Sequence, residues 1–367
     1  MPRPVNNPPN PWSSTQVEYL EEAPPATLQI FEEQARSIIT SNDSPDLPFR
    51  YSVNPYRGCI HACAYCYARP SHQYLGWGAG TDFDRKIVVK TNAPELLEKE
   101  LDRRGWQGDT IVFSGNVDCY QPVEASYTLT RRCLEVCLAF RNPVGLITKG
   151  ALVRRDAALL GELARRARAR VHFSIPFADD VVARKMEPYA SRSSLRFEAM
   201  RALSDAGVPT GISLSPMIPG LNDSDIPELL ERARDAGADS AFMMPLRLPR
   251  EVLPVFDERL EQAFPDRAGK VRRAIQEMRG GKMNEAAFGA RFQGAGPRWA
   301  AIQRLFDVHC QRLGLNAARA GEAPRERDDE RSEASEDGST TGDAGSADGE
   351  ARSTFRRPSR QGTLFDL

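Results

Sequence analysis

The sequence predicts an α/β fold: a partial (βα)6 TIM-type barrel followed by a helical C-terminal extension and a disordered acidic tail. Three observations carry this expectation. Between about residues 50 and 265, short apolar runs of β type alternate with helix-type runs of ten or more residues. The β-type runs hold few polar positions, which implies parallel pairing through right-handed crossovers. Six such units can be counted, fewer than the eight of a full barrel.

Taken in order, residues 1–25 are rich in Pro and Asn and read as irregular chain, disordered or draped over the surface. The run 27–37 (TLQIFEEQARS) reads as a short amphipathic helix. A first strand falls at 51–55, and others at 110–114, 144–148, 171–175, 210–214 and 239–244. Helical patterns lie near 94–104, 126–141, 155–168, 193–206 and 225–236. Residues 254–312 read as helices around a Gly- and Arg-containing stretch at 280–299. From 317 to 352 the chain is Ala, Gly, Ser and acid, which cannot offset its own ordering entropy. The expected divisions are therefore an N-terminal extension (1–49), the barrel (50–250), a helical extension (251–316) and a linker with a terminal peptide (317–367).

Composition narrows the function classes. No apolar stretch approaches membrane-span length, and the N-terminal MPRPVNNPPNPW lacks the order of a signal peptide, so a cytoplasmic protein is expected. Seven cysteines, an odd number, suggest cofactor chemistry rather than a disulfide framework. The net charge of −1 hides an acidic stretch at 321–350 and a slightly basic body, compatible with a nucleic-acid substrate or simply with solubility.

The run GCIHACAYCYARP places Cys59, Cys63 and Cys66 in a Cys-x3-Cys-x2-Cys spacing, just after the first strand. Three thiolates this close, with no fourth in line, suit three corners of a 4Fe–4S cluster and leave one iron open. A zinc site completed by His61 or His72 is the competing reading, but structural zinc favours two ligand pairs set apart by a spacer. The run resembles the signature of the radical S-adenosylmethionine (SAM) enzymes, with Tyr65 at the family's aromatic position. That resemblance implies a 4Fe–4S cluster on the three cysteines and SAM chelated at the open iron. One electron from the cluster then yields a 5′-deoxyadenosyl radical.

The same resemblance assigns further positions. In SGNVDCYQPVE (114–124), Ser114, Gly115 and Asn116 fill the small-residue motif that receives the cofactor's amino group, with Asn116 departing from the family's Glu. Asp118 and Glu124 are acceptors in that loop, for cofactor, for substrate, or for the start of the next helix beside Ser126. Lys149, closing the third strand, suits the cofactor carboxylate, and Ser174 a ribose hydroxyl. Glu187 and Arg196 resemble a family arrangement in which an Arg approaches the cofactor carboxylate, or form a surface salt bridge. The turn SPMIPGLNDSD (215–225) resembles the one that shapes the adenine pocket.

Within the superfamily, NDSPDLPFRYSVNPYRGCIHACAYCYARPSHQYLG most resembles the spore photoproduct lyase-like, DNA repair photolyase-like group. That group implies a lyase-like enzyme acting on DNA. It also makes Tyr67 a hydrogen-atom relay and Cys119 a thiol donor, although Cys119 lies several residues from the aligned cysteine. Both tyrosines beside the last ligand could instead pack against the cluster. Gln361, Leu364 and Phe365 resemble the peptide that docks bacterial sliding clamps, and a flexible linker would give it reach. The expected partners are DNA, the clamp and a reductant such as flavodoxin or ferredoxin, with no membrane. The competing functions are a radical SAM enzyme of RNA or peptide, and a non-catalytic metal-binding clamp adaptor.

Overall fold

The structure, a computed structural model, describes residues 27–317 and 353–358. Ten strands form in chain order: β1 (Gln29–Glu33), β2 (Ile39–Ser41), β3 (Tyr51–Val53), β4 (Tyr56–Arg57), β5 (Lys86–Lys90), β6 (Ile111–Phe113), β7 (Val144–Thr148), β8 (Ala169–Ser174), β9 (Thr210–Ser213) and β10 (Ala238–Phe242). The main sheet runs β10-β9-β8-β7-β6-β3-β2, and its six strands from β3 to β10 are parallel neighbours in chain order. These are the six strands expected from sequence. β2 adds one antiparallel edge to β3.

Helices Ala93–Asp102, Leu129–Ala139, Ala157–Ala167, Ser193–Asp205 and Ile226–Asp235 make the crossovers. Side-chain alternation divides the strands between two environments. On β7, Val144 and Leu146 pack into the main core, while Gly145 and Ile147 stay half-buried along the barrel interior. On β8, Ala169, Val171 and Phe173 are core, whereas Arg170 and His172 line the interior. The scarce polar residues of these strands therefore face the cavity rather than the helices.

Three C-terminal helices follow, Leu253–Ala263, Pro265–Met278 and Gly296–Leu313. The first two form their own core with Phe177, Met186 and Leu246, adjoining Cys63 and Tyr65 of the cysteine loop. Trp299, Ile302 and Phe306 of the last helix join the main core. Beyond it, the Asn316 side chain accepts from the Ala241 N–H (3.0 Å) and donates to its carbonyl (2.9 Å), covering the β10 edge. Among the described residues, no helix is long and apolar enough to cross a membrane.

Two expectations need correction. The segment read as an amphipathic helix at 27–37 contains β1, which pairs in parallel with β5 in a second, three-stranded sheet, β1-β5-β4. Five backbone pairs along β5 override a local helix-like pattern, as tertiary context does. The tail also departs from uniform disorder, because residues 353–358 dock at the N-terminal ends of the barrel strands. There Phe355 stacks on Phe140 (centroids 6.2 Å apart), and the Arg356 N–H donates to the Phe140 carbonyl (2.8 Å). Thr354 Oγ1 donates to the carbonyls of Arg141 and Ala167 (both 3.1 Å). Arg357 donates to the carbonyls of Asp102, Arg103 and Trp106 at the end of helix Ala93–Asp102, where a cation suits the helix dipole. Gly108 admits Phe355, since a Cβ there would lie 2.2 Å from the Phe355 Cβ. The sequence signal was Phe355, an aromatic among arginines that follows a long run of small and polar residues.

Phe355→Ala removes this anchor without touching the barrel. It should lower stability by about 1–2 kcal/mol, since the ring is only partly buried. Limited proteolysis should then cut near 353–358 faster than in the wild type.

Candidate active site

The cysteine loop follows β4 and is shaped by its backbone. Gly58 sits at φ +76°, and a Cβ there would meet the Lys86 and Phe83 carbonyls at 2.8 and 2.9 Å, so no other residue fits. Ala62, between the first two cysteines, is also left-handed (φ +55°). Distant residues hold the loop. Gln121 accepts from the Ile60 N–H and donates to the Gly58 carbonyl, both at 2.9 Å. The fully buried Arg69 donates to the carbonyls of Cys63, Ala79 and Gly80 and pairs with Asp84 at 3.0 Å.

This loop lies on one large cavity of about 1690 Å³ that runs along the barrel interior. Cys59, Cys63 and Cys66 all line it, and so do Gly115, Asn116, Asp118, Lys149, Ser174 and Tyr67. The sequence-selected residues of four separate chain segments are thus brought together at the C-terminal ends of the strands, where such barrels carry chemistry. Lys149 Nζ donates to Ser174 Oγ (2.7 Å) and lies 3.8 Å from Glu187. Asn116 receives a backbone clamp, its N–H donating to Asn54 Oδ1 (3.0 Å). Tyr67 donates to the Gly115 carbonyl (2.9 Å) and leaves half its surface open. A phenol titrates at about pH 10, so Tyr67 carries its proton at neutral pH.

Three expected site residues do not reach the cavity wall. Cys119 is buried in the main core, its N–H held by Ser114 Oγ (2.9 Å) and its carbonyl by Thr130. Its thiol therefore packs as a small hydrophobe. Glu187 and Arg196 are neither on the surface nor on the wall; they form a buried pair behind it. Arg196 spends its donors on Glu187, the Ser174 carbonyl (2.8 Å) and the Ser191 carbonyl (2.7 Å). Burial pushes the Glu187 carboxyl up, but the Arg196 and Lys149 charges outweigh it and hold the group below its ordinary value. Tyr65 donates to the other Glu187 oxygen and so ties the cysteine loop to this pair.

Asp118 lines the cavity, yet it is already engaged. It accepts from Thr148 Oγ1 (2.7 Å) and from the N–H groups of Lys149 (2.6 Å) and Tyr120 (2.9 Å), with His61 Nδ1 at 3.4 Å. It positions the end of β7. Glu124 is fully buried and accepts from Tyr56 and from the N–H groups of Thr130 (2.9 Å) and Arg131 (3.2 Å), so it caps helix Leu129–Ala139. Ser126 does not make that cap. Gln121, Arg69 and Tyr56 were missed from sequence, because their partners lie on distant segments or on plain carbonyls.

The donor set fits an iron–sulfur cluster better than one ion. All three cysteines are free thiols on the same cavity. Among the described residues, no three His, Cys, Asp or Glu groups converge on a single ion position. His72 turns away, with Nε2 on the Lys86 carbonyl (2.9 Å) and its ring against Trp77 and Phe83. Burial pushes all three thiols up, so a metal that binds them must displace their protons.

The radical SAM superfamily profile matches residues 53–233. An uncharacterized protein of Mycobacterium tuberculosis is 36% identical over 228 residues, covering 62% of this chain and 67% of that protein. The radical SAM Nalpha-GlyT isomerase of Pseudomonas phage M6 is 24% identical over 219 residues, 59% of this chain and 43% of that one. Spore photoproduct lyase complexed with dinucleoside spore photoproduct superimposes with a TM-score of 0.55 at 18% identity, covering 78% of this chain and 80% of that chain. A mutant of that lyase with bound AdoMet and dinucleoside spore photoproduct gives a TM-score of 0.56, covering 82% and 86%. The chain belongs to the radical SAM superfamily, with the fold of spore photoproduct lyase. The superfamily's cofactors are a 4Fe–4S cluster and SAM.

Two predictions follow from the loop. Gly58→Ala should destabilise the protein by about 2 kcal/mol or more, combining left-handed strain with two carbonyl collisions. Iron retained per chain after anaerobic reconstitution should drop with it. The second concerns His72, whose pKa burial lowers to about 4 from 6.5. Its folded value is depressed, so its stabilising contribution is complete above about pH 6.5 and is lost as pH falls towards 4. Urea midpoints should fall across that window by an amount equivalent to about 3 kcal/mol. His72→Gln should flatten that dependence.

Proposed function

We propose that the protein is a cytoplasmic enzyme that cleaves SAM reductively at a 4Fe–4S cluster held by Cys59, Cys63 and Cys66 and directs the resulting radical at DNA. The carrying observation is that these three thiols share one cavity with Gly115, Asn116, Lys149 and Ser174. When bound, the cluster supplies one electron to the cofactor's sulfonium bond, and a flavodoxin or ferredoxin is the proposed source of that electron. The protein's part is to bind and orient. The Gly115–Asn116 backbone and the Lys149 ammonium offer a carbonyl acceptor and a cation to the amino acid end of SAM, and Ser174 faces its ribose. Glu187 and Arg196 act from behind by fixing Lys149, Ser174 and Tyr65. The depth of the cavity along the barrel interior limits the access of water to a reactive intermediate.

Tyr67 is the proposed hydrogen-atom relay. It lies immediately after the last cysteine, its phenol is protonated, and its open face borders the same cavity. Cys119 is not proposed as a donor, because its thiol is packed in the core. The likeness of the fold to spore photoproduct lyase, which is seen with a dinucleoside photoproduct, supports DNA as substrate. The peptide at Gln361, Leu364 and Phe365 lies outside the described residues; as a clamp ligand it would bring the enzyme to replicating DNA.

The test is anaerobic reconstitution followed by reduction with SAM. About four irons per chain and release of 5′-deoxyadenosine are expected, and Cys63→Ala should abolish both. Absence of 5′-deoxyadenosine from the wild type would sink the reading. With deuterated DNA lesions, label should reach 5′-deoxyadenosine. Tyr67→Phe should keep its cluster and its cofactor cleavage while losing substrate turnover by about tenfold or more, as general proton- and hydrogen-transfer groups do.

A further inference from the structure

After β10 the chain runs Met244-Pro245-Leu246-Arg247-Leu248 along the top of the barrel, and it is pinned on both sides of Arg247. The Leu246 N–H donates to the Met217 carbonyl (3.0 Å), and its carbonyl accepts from Arg279 (2.8 Å). The Leu248 N–H donates to Asn284 Oδ1 (2.9 Å). Leu246 and Leu248 are buried in the C-terminal helical core, so extended-chain alternation turns Arg247 the other way, onto the cavity.

There Arg247 has an unusual status. Its guanidinium lies 5.0 Å from the Phe292 ring centroid. No hydrogen bond or ion pair joins it to any described residue, and its Nε is buried without a partner. Its neighbour Arg291 is different. That residue spans the Phe288 and Phe292 rings (4.4 and 4.9 Å) but is neutralised by Asp46 at 2.6 Å. A ring face attracts a cation but brings no counter-charge. A half-buried guanidinium with unused donors therefore calls for an external anion, and its planar fork matches phosphate. Phe288 and Phe292 line the cavity beside these arginines, with Phe288 largely exposed, and they offer flat faces of the kind on which bases stack.

We infer that Arg247, with Phe292 beneath it, is a substrate subsite that takes the phosphate of a nucleotide whose base stacks on the Phe288–Phe292 rim. The inference rests on the nucleic-acid reading above. It separates the two poles of the cavity: Lys149 and Ser174 serve the cofactor, and Arg247 serves the substrate. Burial and then the Arg291 charge disfavour the protonated guanidinium more than Tyr67 and the Asp46 carboxylate favour it, a balance that an incoming phosphate would reverse.

The experiment compares wild type, R247Q, R247K and F292L after anaerobic reconstitution. Binding of a fluorescein-labelled single-stranded oligothymidylate is read by anisotropy, and SAM binding by equilibrium dialysis. Loss of a charge-assisted contact corresponds to a weakening of about 10- to 100-fold for the oligonucleotide in R247Q. R247K should fall between R247Q and wild type, because the charge remains but the fork is gone. F292L should weaken the oligonucleotide as well, and SAM affinity should stay within about twofold throughout. Thermal stability of R247Q should be equal to or above wild type, since no internal partner is lost; a marked fall would mean a structural role and overturn the inference. It is equally overturned if SAM affinity drops instead, making the anion the cofactor's carboxylate, or if R247Q binds the oligonucleotide as wild type does. In that last case the nucleic-acid reading survives. If wild type binds no oligonucleotide while still releasing 5′-deoxyadenosine, the nucleic-acid reading falls and takes this subsite with it.

Discussion

The buried Glu187 carboxylate is the point from which the rest of the site hangs. It accepts from Tyr65 in the cysteine loop, pairs with Arg196 on helix Ser193–Asp205 and lies near Lys149 at the end of β7. Arg196 in turn holds the carbonyl of Ser174 on β8. One anion thus fixes the loop and two strands relative to one another. Buried pairs of this kind add little net stability, but removing one partner strands a charge at a cost of about 3–5 kcal/mol. The network therefore reads as a device for geometry: three thiols must be presented in one arrangement, and a covalent loop alone has too much freedom to do so.

Much of this was legible in the chain. Strands with few polar residues, spaced by helical runs, gave the six parallel strands and their order, because parallel pairing with short crossovers leaves few topologies. The three cysteines, Lys149 and Ser174 were legible because each stands at the end of such a strand and carries a chemistry that the strand itself does not require. What stayed hidden was of another kind. Gln121 and the loop it clamps are 61 and 63 residues apart, and the Tyr56–Glu124 pair is 68 residues apart. Nothing local marks a glutamine as a clamp. β1 was misread for the same reason, since a strand at the margin of a second sheet is defined by its neighbour.

Glu187 and Arg196 show how residues picked out together in the sequence can take a place that the sequence did not indicate. A salt bridge was one of two readings, and they do pair, but buried, with each guanidinium nitrogen bonded behind the wall. Arg247 is the converse case. It has no motif to announce it, and only three-dimensional bookkeeping of donors against acceptors singles it out. A charged residue inside a cavity is informative to the extent that the fold has left it unsatisfied.

The docked segment at 353–358 changes the geometry of whatever the C-terminus does. Along the chain, residue 361 stands 44 positions beyond Ala317 but only three beyond Pro358, the last residue of the docked segment. Three residues span about 10 Å at full extension. A partner gripping Gln361–Phe365 would then ride almost flush against the N-terminal ends of the barrel strands. The cysteines and Arg247 open at the opposite pole. Such a partner would sit at the enzyme's back, and a substrate held by it would have to travel round the molecule to meet the cavity. The anchor thus fixes the face of the barrel from which the chain leaves Pro358.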